Sequence, residues 1–403
     1  MEAGERRGQA QPGDEPQSAV AAQRGAEAGG PARAVAQRRE ARLTEAQPSD
    51  AAQRAEAQRH ESQATLAAWA AFGLGLLFGL VALWGEPRPI AATPGEATVA
   101  QPAAGIAAII AAAAFVLSTL LHRRRETAAM PGWQRTVSHI STVALTLAFG
   151  AVAYMGVLTG GEILGLGLRG LEAPAVGGAL LSAIASAAAG WLAFQAGIEL
   201  RTRDLATLLF AYLTIGTVFA MLTAADPRWW ERHFSELGTG WAFNVTVIVA
   251  GLLVATTGSY IGRDLHRWLG DTRLRSIGAV VLLFAATGAA LAGVGIFPVA
   301  EAPLVHNIAA FGTLGLFALT AVVVTLVLPG PPRAMLLTTI GAGLALGAAL
   351  LLWRPFGLYS AAGLEAVAVG IMFVWMMTLV RTLAAAAPEG TRLSARPSLL
   401  RAP

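Results

Sequence analysis

The sequence predicts an all-α fold: a polytopic transmembrane bundle of about 10 helices with both termini in the cytoplasm. Three observations carry that reading. Apolar runs on the order of 20 residues recur along the chain, long enough to cross hydrocarbon about 30 Å thick as helices. Arginine is distributed alternately between rich and poor gaps, as short cytoplasmic loops retain positive charge. Tryptophans such as Trp84, Trp133, Trp241, Trp268 and Trp353 fall at run ends, where an amphipathic ring prefers the headgroup layer.

Residues 1–63 come first and are a different material. Ala, Gln, Arg and Glu dominate, aromatics are absent, and nine arginines nearly balance ten acids. Such a segment cannot bury enough apolar surface to offset its ordering entropy, so a disordered or transiently helical cytoplasmic tail is expected. It lacks the early apolar core of a cleavable signal peptide. The runs 64–84, 103–121, 137–159 and 174–198 then make an N-terminal four-helix membrane module, residues 64–203. The runs 205–223, 241–261, 276–297, 303–328, 335–353 and 358–380 make a six-helix domain, residues 204–384, before a second polar tail, 385–403. Lipid offers exposed backbone no hydrogen-bond partner, which favours helices throughout.

Orientation follows from the gaps. The second, fourth, sixth and eighth hold 11 arginines (Arg123, Arg124, Arg125, Arg135, Arg201, Arg203, Arg263, Arg267, Arg273, Arg275, Arg333) against five in the others (Arg88, Arg169, Arg228, Arg232, Arg354). The richer gaps belong inside, which puts both termini in the cytoplasm. All 29 basic residues are arginine, and with the heavy Ala and Gly usage this points to a GC-rich bacterial genome and a multi-pass protein of its cytoplasmic membrane. The basic balance reflects loop arginines facing anionic headgroups, so membrane lipids rather than nucleic acid are the expected partners, other membrane proteins remaining open. With no cysteine, disulfides, thiolate catalysis and thiolate metal sites are excluded.

Several pattern matches fail on context. Gly165, Gly167 and Gly170 spell a dinucleotide-binding fingerprint, but in an outer loop with no strand and helix around it. Asn244 to Thr246 form a glycosylation sequon at the start of a membrane run. No P-loop, HExxH, GxSxG or CxxC occurs.

What remains are polar residues inside or at the mouths of runs, where unpaired polarity is expensive and needs a reason. They gather on the outer side of the last six helices. The gap DPRWWERHFSELGTGWAFN runs from Asp226 to Asn244, and FPVAEAPLVHNIAAFG runs from Phe297 to Gly312. On the sixth helix Asn244, Ile248, Gly251, Ala255, Gly258 and Gly262 fall on one small-residue stripe, so Asn244 is expected to face protein. On the eighth, His306, Ala310, Thr313, Phe317 and Thr320 share a face, either lining a polar crevice or bonding their own backbone. Glu365 lies about seven residues, or roughly 10 Å, inside the tenth helix and should face the bundle interior. The amino-terminal half offers less. Ser182, Ser186 and Gly190 read as a packing stripe, while Gln195 and Glu199 with Arg201, Arg203 and Asp204 read as a solvated helix end.

At Ser235, Glu236, Leu237 and Gly238, followed by Asn244 and then by Phe297, Pro298, His306 and Asn307, the chain resembles the membrane family called domain of unknown function 998. The resemblance covers about residues 204–384. It implies a six-helix integral membrane domain and carries no established reaction, substrate or cofactor. It leaves the first four helices looking like an appended module.

Three function classes follow. The first is a non-enzymatic, envelope- or lipid-associated membrane protein, since nothing resembles an assembled catalytic site. Ser235, Glu236, Asn244, His306, Asn307 and Glu365 would then form an outward-facing polar pocket beneath the loop of Trp229 and Trp230. The second is a lipid-modifying enzyme using His306 with Glu365, Glu236 or Asp226 as its carboxylate. The third is a transporter or permease component with Glu365 and His306 in a central crevice, against which no internal repeat is found. No cofactor is implied, and one histidine at that mouth would leave zinc dependent on carboxylates.

Overall fold

The computed structural model describes residues 50–90, 97–123 and 132–386. Among them are ten helices long and apolar enough to cross a membrane. They are α1 (Asp50–Ala82), α2 (Ala100–Arg123), α3 (Gly132–Gly167), α4 (Ala175–Ile198) and α5 (Thr202–Leu222), followed by α6 (Trp241–Leu269), α7 (Leu274–Ile296), α8 (Pro303–Val327), α9 (Arg333–Trp353) and α10 (Ala361–Ala386). The only strands among the described residues are Arg88–Pro89 and Glu172–Ala173, which pair antiparallel.

The chain forms two compact units, Met1–Glu61 and Ser62–Pro403. The tails expected over 1–63 and 385–403 lie outside the described residues up to 49 and from 387 onward. Residues 50–63, expected to be polar tail, are the first turns of α1. Their Ala, Gln, Glu and Arg are strong helix formers, and the adjoining apolar helix removes the cost of nucleation. Helix α3 likewise outruns the expected 137–159, so Gly165 and Gly167 close a helix, and Gly170, at φ 75°, takes the left-handed turn beyond it.

Within the second unit, α2 packs between α3 and α4, and α3 continues onto α5 and α6. One core therefore runs from Ala104, Phe115 and Phe149 through Leu209 and Tyr212 to Leu253, Phe284 and Trp375. The serine stripe of α4 meets glycines of α1: a Cβ added at Gly75 would stand 2.6 Å from Ser186 Cβ, and one at Gly79 would stand 3.0 Å from Ser182 Cβ. Small residues let these helices approach where hydrophobic drive is absent.

Helix α6 is the centre of the six-helix part, packed on α5 and α7 and touching α3 and α10. Its glycine stripe faces α7. A Cβ at Gly251 would meet Gly288 O at 2.3 Å, one at Gly258 would meet Phe284 Cβ at 2.2 Å, and one at Gly262 would meet Val281 Cγ2 at 2.3 Å. The other membrane end is tied by Asp264, buried at the close of α6, which accepts from Thr202 Oγ1 at 2.5 Å and Arg267 Nη1 at 3.3 Å. Nearby, Glu199 pairs with Arg201 at 3.1 Å as part of a solvated helix end.

Candidate functional site

The loop between α5 and α6 folds as two short 3₁₀ turns, Trp229–Glu231 and Phe234–Thr239. The second turn is held by three helices at three of its own atoms. Phe234 N–H donates to Glu365 Oε2 of α10 at 2.6 Å. Ser235 Oγ meets His306 Nε2 of α8 at 2.8 Å. Gly238 O accepts from Asn244 Nδ2 of α6 at 2.9 Å. The preceding turn adds two further ties to the start of α10, where Ala362 N–H donates to Arg232 O at 3.0 Å and Ser360 Oγ donates to Trp230 O at 2.8 Å. Trp229 packs on Phe234 with ring centroids 5.0 Å apart.

Each pin has a sequence-level cause. Glu365 stands one turn into α10, so its side chain points back toward the helix N-terminus and reaches the loop amide. Asn244 stands in the first turn of α6 and reaches back to the carbonyl of the turn that precedes it. His306 is the fourth residue of α8, whose start is set by Pro303 at the first helical position. Its ring is 3 % exposed, and Nδ1 lies 2.8 Å from Phe297 O.

That last contact decides the tautomer. A carbonyl only accepts, so in the neutral ring Nδ1 carries the proton and Nε2 is the acceptor. Ser235 therefore donates its hydroxyl proton to Nε2. With both ring nitrogens engaged, His306 has none left for a carboxylate. The expected pairing of His306 with Glu365, Glu236 or Asp226 is replaced by pairing with a serine. Glu236 instead meets Arg232 Nη1 at 3.3 Å and His233 Nε2 at 3.6 Å, and Asp226 Oδ1 accepts from Arg228 N–H at 2.9 Å.

Of the six residues expected to line one pocket, Ser235, Asn244, His306 and Glu365 converge on the Phe234–Thr239 turn. Glu236 lies on the turn but faces the arginine and His233. Asn307 is exposed, because the residue after a buried helical position is turned about 100° around the axis. The threonines below His306 take the less eventful of their two expected roles: Thr313 and Thr320 donate to Ala309 O and Leu316 O, four residues back. Further along, Trp375 Nε1 donates to Thr339 Oγ1 at 2.9 Å, and Thr339 meets Thr325 Oγ1 at 2.8 Å. That chain links α8, α9 and α10 with no ionisable member. Among the described residues no group of three His, Asp or Glu is gathered as metal ligands would be.

The latch makes a direct prediction. Glu365→Ala removes the acceptor of the Phe234 amide and should cost about 2 kcal/mol, whereas Glu365→Gln keeps an acceptor oxygen and should recover most of it. Hydrogen exchange of the 232–239 segment measures this. The alanine variant should exchange on the order of tenfold faster or more; unchanged exchange would mean the bond holds nothing.

No curated protein and no solved structure matches the chain. Residues 205–382, spanning α5 to α10 and every pin of the latch, match the family model described as Protein of unknown function (DUF998). The six-helix part of this chain is thus similar to the DUF998 family, whose function is unknown.

Proposed function

We propose that the chain is a multi-pass protein of a bacterial cytoplasmic membrane, with both termini inside, and that the latched loop is an outward-facing platform for lipid headgroups. The observation that supports it most is what the latch leaves on display. Trp230 is 56 % exposed and shares its loop with the exposed side chains of Arg228 and Arg232, Trp241 at the start of α6 is 50 % exposed, and the turn between them is fixed to three helices. Tryptophan rings prefer the headgroup layer, and guanidinium groups match phosphate oxygens in a planar fork. A loop fixed in place loses little entropy on meeting a lipid, which favours retention.

The low-arginine character of this end is the support for placing it outside. The apolar, already bonded interior between Glu365 and the far ends of α8 and α10 favours a one-sided site over a transport route.

Mass spectrometry of lipids retained on the purified protein tests the proposal. Near an anionic surface each arginine contributes about 1 kcal/mol, so Arg228→Ala with Arg232→Ala should weaken retention of anionic phospholipid roughly thirtyfold. An unchanged lipid complement would dismiss the platform.

A further inference from the structure

We propose that Ser235 and His306 form a nucleophile and general-base pair that accepts an acyl group from a lipid ester. The substrate class rests on the headgroup reading above; the reactivity of the serine does not. Four observations converge on the pair. Ser235 Oγ and His306 Nε2 are 2.8 Å apart, within the reach a base needs to take a hydroxyl proton. Phe297 O, 2.8 Å from Nδ1, holds the ring in the tautomer that presents Nε2 as acceptor, the office a buried carboxylate fills in Ser-His-Asp triads.

The use made of the hydroxyl also differs from that of the threonines within the helices. Thr246, Thr257, Thr313 and Thr320 all donate to carbonyls four residues back in their own helices, a structural use. Ser235 lies on a 3₁₀ turn and gives its proton to a titratable ring instead. Finally, His306 stands one turn, roughly 5 Å, into α8. A pair at that depth meets the ester linkages between headgroup and acyl chain, where a pair at mid-span would meet only hydrocarbon.

The step balances without a further reagent except water. Ser235 Oγ attacks the ester carbonyl carbon while its proton passes to Nε2 of His306. The tetrahedral adduct collapses with cleavage of the bond to the alcohol oxygen, which takes the proton back from Nε2 and leaves as the lyso product, with the acyl group on Ser235. Water, losing a proton to His306, then attacks the acyl-serine; the carboxylic acid departs and Oγ regains its proton. Ser235 is 6 % exposed, so the turn must shift to admit substrate, and the Phe234 to Glu365 bond restrains that shift.

The test uses the full chain in nanodiscs of phosphatidylglycerol and phosphatidylethanolamine, treated with a fluorophosphonate probe and read by peptide mass mapping. The expected result is an adduct on Ser235, absent in Ser235→Ala, about a hundredfold slower in His306→Gln, and accompanied in the untreated protein by release of fatty acid from the nanodisc lipid. Because the chain has no cysteine, Ser235→Cys supplies a unique thiol that does not depend on the alanine variant folding. Its alkylation should be on the order of tenfold faster with His306 present than in the Ser235→Cys, His306→Gln double variant. An unlabelled Ser235 in folded wild-type protein, or thiol alkylation indifferent to His306, overturns the pair. Labelling of Ser235 with all lipid left intact overturns the lipid ester as substrate. Lipids retained with Ser235 inert would leave the platform standing and remove the chemistry; Ser235 labelled on a protein that retains no lipid would do the reverse.

Discussion

Gly251→Val should lower folding stability by about 3 kcal/mol, at the upper end of what overpacking costs. The first side-chain atom alone would stand 2.3 Å from Gly288 O and 2.7 Å from Ala292 N. Both obstacles are backbone of α7, so no rotamer change relieves the clash and the two helices must part. The contact is reciprocal: a Cβ at Gly288 would stand 2.3 Å from Gly251 O. Nor is it isolated, since a Cβ at Gly295 would meet Asn244 O at 2.4 Å, so the close approach of α6 and α7 extends up to the residue that pins Gly238. Separating the pair should therefore loosen the loop as well as the bundle. Gly278, with nothing within 4 Å of an added Cβ, is the control. Gly278→Ala should be neutral or stabilising by up to about 1 kcal/mol on helix propensity. Denaturation in mild detergent, followed by circular dichroism, measures both; equal stabilities for the two variants would refute the close-packed interface.

The contrast between these glycines shows what was legible in the sequence. The period of the α6 stripe placed Asn244, Gly251, Gly258 and Gly262 on one protein-facing side, and the structure sets the three glycines against α7. Hydropathy located all ten helices, because a membrane span is a one-dimensional requirement on length and apolarity. Helix ends were harder. Residues 50–63 carry α1 ahead of its apolar run because they are polar helix formers, whereas residues 160–167 carry α3 on through GGEILGLG, a glycine-rich stretch whose helicity propensity does not explain.

At the site, the cost of placing polar groups in a membrane singles out Asn244, His306 and Glu365, and each makes a hydrogen bond in the structure. Their partners were not legible, because most are backbone: Phe234 N–H, Gly238 O and Phe297 O carry no side-chain signal. The partner that is a side chain, Ser235, was visible in the sequence, but only the fold brings it across 71 residues to His306. Asp264 carries no sequence signal for a related reason. It sits among arginines at a helix end, and its burial comes from Thr202, 62 residues away.

His306→Ala should be the costliest substitution among the three pins, at about 3 kcal/mol. It leaves a cavity and strips two groups of their partner: Phe297 O loses a donor, and the buried Ser235 hydroxyl loses its acceptor. Ser235→Ala should cost about 1 to 2 kcal/mol, because Nε2 is then buried without a donor while the Phe297 contact survives. The two losses overlap, so the double variant should be less damaging than their sum by about 1 kcal/mol or more, within the range for hydrogen-bonded neighbours. Strict additivity would mean that the 2.8 Å contact contributes nothing. The same cycle separates position from chemistry. In His306→Ala the Phe234–Thr239 turn is still tied by Glu365 at one end and Asn244 at the other, so hydrogen exchange there should rise most at Ser235 and Glu236, between the surviving ties. A turn that stayed protected with Ser235 unreactive would assign His306 the base's role rather than a merely positional one.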